Sequence, residues 1–288
     1  MNKFDGQLVV LADQDIIDDD SISVRLANDS FVSENDTQLL NLIEASGFSR
    51  RSEIDKLYFD RLRDDADDKE ILELATQGRL KMAILLATKG GKIKIADRIR
   101  NVAERIKHNG GKVEAFVPTS TCSSGAMIMQ SGQEIFTVGD SHIGWHLSSF
   151  ALNGNDSDRL SEMASIKKFV SERAYPEFIK PVLRHFETAE QDISNKDNFV
   201  MLQGYQMGKY GLATEVFYST GRLKSYFEHE YVGMTEDAKE IEDFWNVEIF
   251  LEDYLRNQYS SERSKIHDID IIREAVRIKV TMDVSALM

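Results

Sequence analysis

Apolar positions change their period several times along the chain, and each change predicts an element. Residues 7–11 (Gln-Leu-Val-Val-Leu) form a short apolar run read as a buried strand. Residues 13–21 are an acidic turn, and residues 22–26 read as a second strand. Residues 36–45 carry Leu39, Leu40 and Ile43 on one helical face, and residues 68–77 carry Ile71, Leu72 and Leu74 in the same way. Between those two, residues 47–67 are strongly charged and read as an inserted helix and loop on the surface. Residues 81–88 are a continuous apolar run of strand length, the pattern of a strand covered on both faces. Ile95, Ile99, Val102 and Ile106 then recur at helical spacing, and Gly110-Gly111 closes that helix.

Further along, residues 113–117 predict a strand and residues 126–129 a short helical segment of small and apolar residues. Residues 134–138 and 142–147 predict two more strands around a turn at Gly139-Asp140. Strands alternating with helices over short connections indicate an α/β fold. Residues 156–189 read as helical, with Pro176 and Pro181 breaking or bending the run. A helix is expected over 198–211, closed by Tyr210-Gly211, and a last strand over 213–218. Residues 237–258 predict a long amphipathic helix, with Ile241, Phe244, Trp245, Ile249 and Leu255 at core or interface positions. No internal repeat or low-complexity segment stands out.

Composition narrows the partners. The 288 residues are 42% hydrophobic and 29% charged, ordinary for a globular protein that buries one large core or two small ones. A formal net charge of −14 argues against a general nucleic-acid binder, because phosphate affinity rests largely on Lys and Arg. The same charge argues against docking on an anionic membrane. Cys122 is the one cysteine, so neither an internal disulfide nor a thiolate zinc site is available. The first residues show no signal-peptide apolar stretch, and no run approaches a membrane span. A cytoplasmic location is the expectation.

Candidate chemistry concentrates in residues 118–126, Pro-Thr-Ser-Thr-Cys-Ser-Ser-Gly-Ala. A β-rich run leads into this stretch and a helical one leads out. Two readings fit: a Ser/Thr-rich turn that caps a helix, or a nucleophile turn with the Ser123 hydroxyl exposed. Gly125 occupies the trailing glycine position of the elbow pattern, while Thr121 stands where its leading glycine belongs. Cys122 is a neighbouring rival whose side chain points elsewhere, as small buried filler. Gly90-Gly91-Lys92 does not make a phosphate loop, since Leu86 stands at the first glycine and Ile93 at the magnesium-binding Ser or Thr. A strand-end glycine turn remains, where backbone approaches closely and N–H groups open toward a helix start. His142 and His146 share a face of one predicted strand. They could begin a metal site, but no third ligand lies near in sequence; a general base for Ser123 is the better functional reading. Asp197 suits a helix cap or a carboxylate that orients a histidine.

Taken together, these segments resemble the proteolytic subunit of the Clp protease, within the Clp/crotonase-like superfamily. The resemblance spans Lys81 to about Val216 and is one of motif order. It rests on the apolar strand ending at Gly90-Gly91, then Ser123-Ser124-Gly125-Ala126, then Ser141-His142-Ile143-Gly144-Trp145-His146. Asp197-Asn198-Phe199 and Tyr210-Gly211-Leu212 follow in family order. The resemblance implies a Clp/crotonase-like spiral of ββα units with a helical C-terminal extension. It divides the chain into N-terminal strands and a charged insertion (1–80, part of the same domain), a catalytic core (81–216) and the extension (217–288). It implies a serine-type peptidase with Ser123 as nucleophile, His146 as base and Asp197 as orienting carboxylate. The backbone N–H groups of Gly90 and Ser124 would be the oxyanion donors. Gly91, Gly125 and His142 would lie near substrate. Neither cofactor nor metal is needed, the substrate is a peptide or protein, and homo-oligomerisation and a separate ATPase unfoldase are implied partners. Lys89 departs from the usual proline before the glycine pair, and Ser124 from a larger apolar residue. A non-catalytic Clp-like scaffold and an acyl-CoA-processing crotonase relative are the alternatives.

Overall fold

The computed structural model describes residues 4, 6–13, 16, 23–28, 32–35, 73–145, 156–191, 200–231 and 239–246. The continuous apolar run does form a strand buried along its whole length, β4 (Leu80–Leu86), and the rest of the main sheet is laid out around it. To one side lie β5 (Lys112–Val117), β7 (Glu134–Val138) and β10 (Glu215–Phe217); to the other lies β1 (Gly6–Ala12). All of these pairings are parallel. Beyond β1, β2 (Ser23–Asn28) and β3 (Val32–Asn35) add antiparallel, giving the order β10-β7-β5-β4-β1-β2-β3. A second sheet is made of β6 (Ser120–Cys122), β8 (His142–Trp145) and β9 (Val200–Gln203), with β6 parallel and β9 antiparallel to β8.

The two sheets are threaded by one repeating path. From β4 the chain touches the small sheet at Thr88, which bridges to Thr121, and enters helix α1 (Ile93–His108). From β5 it passes through β6 into α2 (Ser124–Met129), and from β7 through β8. A strand of the large sheet, a segment of the small sheet and then a helix make up one ββα turn. The fold is the α/β spiral of ββα units that the resemblance implied, and it is built without any repeat in the sequence. Two further helices, α3 (Asp156–Arg173) and α4 (Pro176–Gln191), precede β9, and α5 (Gly204–Tyr210) joins β9 to β10.

Alternation along the central strands gives each sheet face its own core. Leu8, Val10, Met82, Ile84, Val113 and Ala115 face α1, whose predicted stripe of Ile95, Ile99, Val102 and Ile106 is buried. Val9, Leu11, Ala83, Leu85, Phe116 and Phe136 face the opposite way, under α6 (Thr220–Glu230) and α7 (Lys239–Phe244).

Several elements differ from expectation. The helix expected over 198–211 is a strand followed by a helix: Val200 and Leu202 alternate into the core while pairing with β8, and the helix begins only at Gly204. There the Gln203 N–H donates to Gln206 Oε1 at 2.8 Å. Pro176 opens α4 at its first position, where its missing N–H costs nothing, whereas Pro181 sits inside α4 without ending it. The helix expected over 237–258 is described only as α7 and a turn at 245–246. Residues 36–72 and 247–288, with the elements expected there, lie outside the described residues.

Candidate active site

Where β6 meets α2, the backbone turns sharply at Ser123. Its φ of 55° and ψ of −122° make it the one non-glycine at positive φ among the described residues. A side chain there is strained, and such strain persists only where surrounding contacts enforce it. Those contacts are visible. Ser123 N–H donates to Gly144 O at 2.8 Å, Met127 N–H donates to Ser123 O at 3.1 Å, and Cys122 N–H donates to Thr88 O at 3.0 Å. Gly125 is required two residues on, because a Cβ there would meet Thr121 Oγ1 at 2.4 Å and Thr88 Cγ2 at 2.6 Å.

The neighbours of Ser123 are poorer nucleophiles. Cys122 is buried, and its desolvation pushes the thiol up to about 12, only partly offset by a hydrogen bond with the Gly144 backbone. It is a neutral thiol at physiological pH and acts as filler. Ser124 is fully buried, with its Oγ unpartnered among the described residues, so its hydroxyl faces the interior. Its backbone N–H opens α2, at a position with no intrahelical acceptor.

The glycine turn closes onto this elbow. A Cβ on Gly90 would meet Cys122 O at 2.6 Å, Ser123 Cβ at 2.6 Å and Ser124 N at 3.0 Å, so the two turns touch backbone to backbone. The Gly90 N–H itself differs from expectation: it donates to Thr88 Oγ1 at 3.0 Å and is therefore already engaged. Gly90 O accepts the Ile16 N–H at 2.9 Å, and Lys92 N–H donates to Ile16 O at 2.7 Å. In a trans peptide the N–H points opposite to the carbonyl. The Gly91 N–H is thus directed away from Ile16, and it meets no acceptor among the described residues. This segment lies between Ile16, which bridges to Gly91, and β6, whose Thr121 bridges to Thr88.

His142 stands at the far end of the small sheet. It pairs with Ser120, and its Nε2 lies 3.5 Å from Gln203 Nε2. Ser123 lies three positions beyond Ser120, so the two levels are about 10 Å apart along the strand. His146 and Asp197 lie outside the described residues. Among the described residues no group of three or more His, Cys, Asp and Glu is arranged to hold a metal ion, and no helix is long and apolar enough to cross a membrane.

Three supports of the elbow escaped sequence reading. Thr88 had a usable signal, since a Ser or Thr two residues before a glycine is a recurrent hydroxyl-to-amide turn. Gly144 had one too: a glycine inside a strand marks close approach, and a Cβ there would meet Met201 Sδ at 2.5 Å and Cys122 Sγ at 2.8 Å. Ile16 had none, because its pairing with Gly91 is made only by the folded chain.

No protein-family model matches this chain, and no curated protein does. Among solved structures the chain is similar to a point mutant of ClpP1 from Listeria monocytogenes, at 13% identity over 75% of this chain and 94% of that one. The TM-score of that likeness is 0.38.

Proposed function

We propose that this chain is a serine peptidase that cleaves peptide bonds through an acyl-enzyme, with Ser123, His146 and Asp197 as its triad. The observation that carries the reading is the backbone of Ser123. A strained serine on a strand-to-helix turn, pressed against a glycine turn, is the geometry a nucleophile needs and a helix cap does not. As a cap, Ser123 lacks the expected bond, for its side chain accepts no cap hydrogen bond from α2.

The ends of the small sheet support the other two members. Ser123 N–H is bonded to Gly144 O, and His146 comes two residues after Gly144. Trp145 pairs with Val200, while Asp197 comes three residues before Val200. Trp145 and Val200, paired at the end of the ladder where Ser123 is tied, are the described residues nearest in sequence to His146 and Asp197.

In the proposed reaction Ser123 Oγ attacks the peptide carbonyl carbon as its proton passes to the His146 imidazole, which Asp197 orients. The C–N bond breaks and the amine leaves with that proton. Water then attacks the ester, giving up a proton to His146, and the carboxylate departs as Ser123 regains its hydrogen. The developing oxyanion takes the Ser124 N–H and the Gly91 N–H, in place of the Gly90 N–H that Thr88 holds. Gly125 and His142 are the substrate-side neighbours in this reading. Residues 81–216 form the catalytic core, flanked by residues 1–80 and 217–288. A cytoplasmic homo-oligomer served by a separate ATPase unfoldase belongs to the same proposal.

The test is turnover of a fluorogenic peptide library by the intact protein and by Ser123→Ala, His146→Ala and Asp197→Ala. Removing either of the first two residues should lower kcat by about 10⁴-fold or more, and the Asp197 change by somewhat less. Full turnover in Ser123→Ala would exclude the mechanism.

A further inference from the structure

We infer that Thr88 is a positioning residue for the oxyanion donors of this site, an inference that rests on the serine-peptidase reading above. Thr88 is fully buried, and it touches all three parts of the site at once. Its backbone grips the strand leading to Ser123 from both sides of Thr121: Thr88 N–H donates to Ser120 O at 3.1 Å, and Cys122 N–H donates to Thr88 O at 3.0 Å. Its methyl occupies the space a Cβ on Gly125 would need. Its hydroxyl takes the Gly90 N–H at 3.0 Å.

The hydroxyl is the part that packing does not explain. Valine has the same shape, and a buried hydroxyl is worth keeping only where it makes a hydrogen bond that something else depends on. Here that bond falls on a pair of glycines, which have no side chains to restrain their peptide planes. Gly90 is held at a φ of 98° by two bonds from opposite neighbours, Thr88 Oγ1 on its N–H and the Ile16 N–H on its carbonyl. The Ile16 bond holds the Gly90–Gly91 peptide, which carries the Gly91 N–H, and the Thr88 bond holds the preceding Lys89–Gly90 peptide, so both sides of Gly90 are restrained. Without the hydroxyl the Lys89–Gly90 peptide is released, and the turn at Gly90 can carry the Gly91 donor out of line. Transition-state stabilisation is sensitive to such a shift, while substrate binding made elsewhere is not.

The experiment compares Thr88→Val and Thr88→Ser with the intact protein, using the saturation kinetics of a fluorophosphonate probe at Ser123. Thr88→Val should lower the limiting rate constant by about tenfold or more with the half-saturating probe concentration nearly unchanged, and Thr88→Ser, which keeps the acceptor, should restore the rate. Should Thr88→Val not fold, amide hydrogen exchange on the intact protein decides: Gly90 is expected to be protected and Gly91 to exchange freely. Normal kinetics in a folded Thr88→Val, or a freely exchanging Gly90 amide, overturns the inference. Absence of labelling in the intact protein would instead remove the peptidase reading, while the exchange pattern would still report on the Thr88 bond.

Discussion

At the scale of single residues, the site depends on what is missing from side chains as much as on what they supply. Gly90 and Gly125 leave room for backbone and methyl contacts of about 2.6 Å from where a Cβ would stand, which is inside any normal approach. Gly90→Ala also carries the strain of a φ of 98°, so we expect it to lose about 1–3 kcal/mol of stability in urea unfolding together with most reactivity at Ser123. Cys122 makes the opposite prediction. With its thiol near 12 and buried, it should resist iodoacetamide at pH 8 in the folded protein, and Cys122→Ala should leave Ser123 reactive. Rapid alkylation in the native state would contradict that environment. The elbow was legible in the order Ser-x-Gly-Ala, which a helix cap also fitted; the positive φ of Ser123 and its missing cap bond support the nucleophile proposed above.

At the scale of elements, what joins the sheet to α6 is ionic as well as aromatic. Lys81 Nζ lies 2.7 Å from Glu230 Oε2 and 3.3 Å from Glu114 Oε2, over the ring of Tyr231, whose hydroxyl donates to Glu114 at 2.8 Å. Lys112 spans Glu114 and Glu134 on the adjoining strands. Glu114 is fully buried, and Lys81→Ala would leave its charge to Lys112 and the Tyr231 hydroxyl alone, so the change should destabilise by about 1–3 kcal/mol, measured by denaturant unfolding. The hydrogen bond from Lys81 holds the Glu230 carboxyl below its usual range, and Lys112 does the same for Glu134 against the opposing effect of burial. Both groups bind protons more readily when unfolded. Their contribution is present above the ordinary carboxylate pKa and is lost as pH falls through the lowered folded values. Unfolding midpoints measured between pH 7 and pH 3 should therefore drop on the acid side, and less steeply in Glu230→Gln. The strongly periodic elements, β4 and α1, were legible because one run or one stripe decides them. β6 and β9 were not: three small residues and a four-residue alternation become strands only by pairing with β8.

At the scale of the whole molecule, the C-terminal helices complete the main sheet. Phe116 stacks on Phe136 at 5.1 Å and meets Phe227 and Tyr231 edge-on, and Phe227 in turn packs on Tyr231 and Trp245. Deleting residues 220–288 would bare this face of the sheet, and the truncated protein should bind a hydrophobic dye and aggregate; a soluble, dye-silent product would mean that another part of the chain covers it. The α/β architecture could be read from the alternation of periods, whereas the aromatic cover was seen only as scattered apolar positions. Whether the turn at Ser123 does chemistry is tested most directly by treating the intact protein with a fluorophosphonate, digesting it and locating the adduct by mass spectrometry. A single stoichiometric adduct is expected on Ser123, absent in Ser123→Ala and retained in Ser124→Ala. An adduct on Ser124, or no adduct on a folded intact protein, would contradict that assignment.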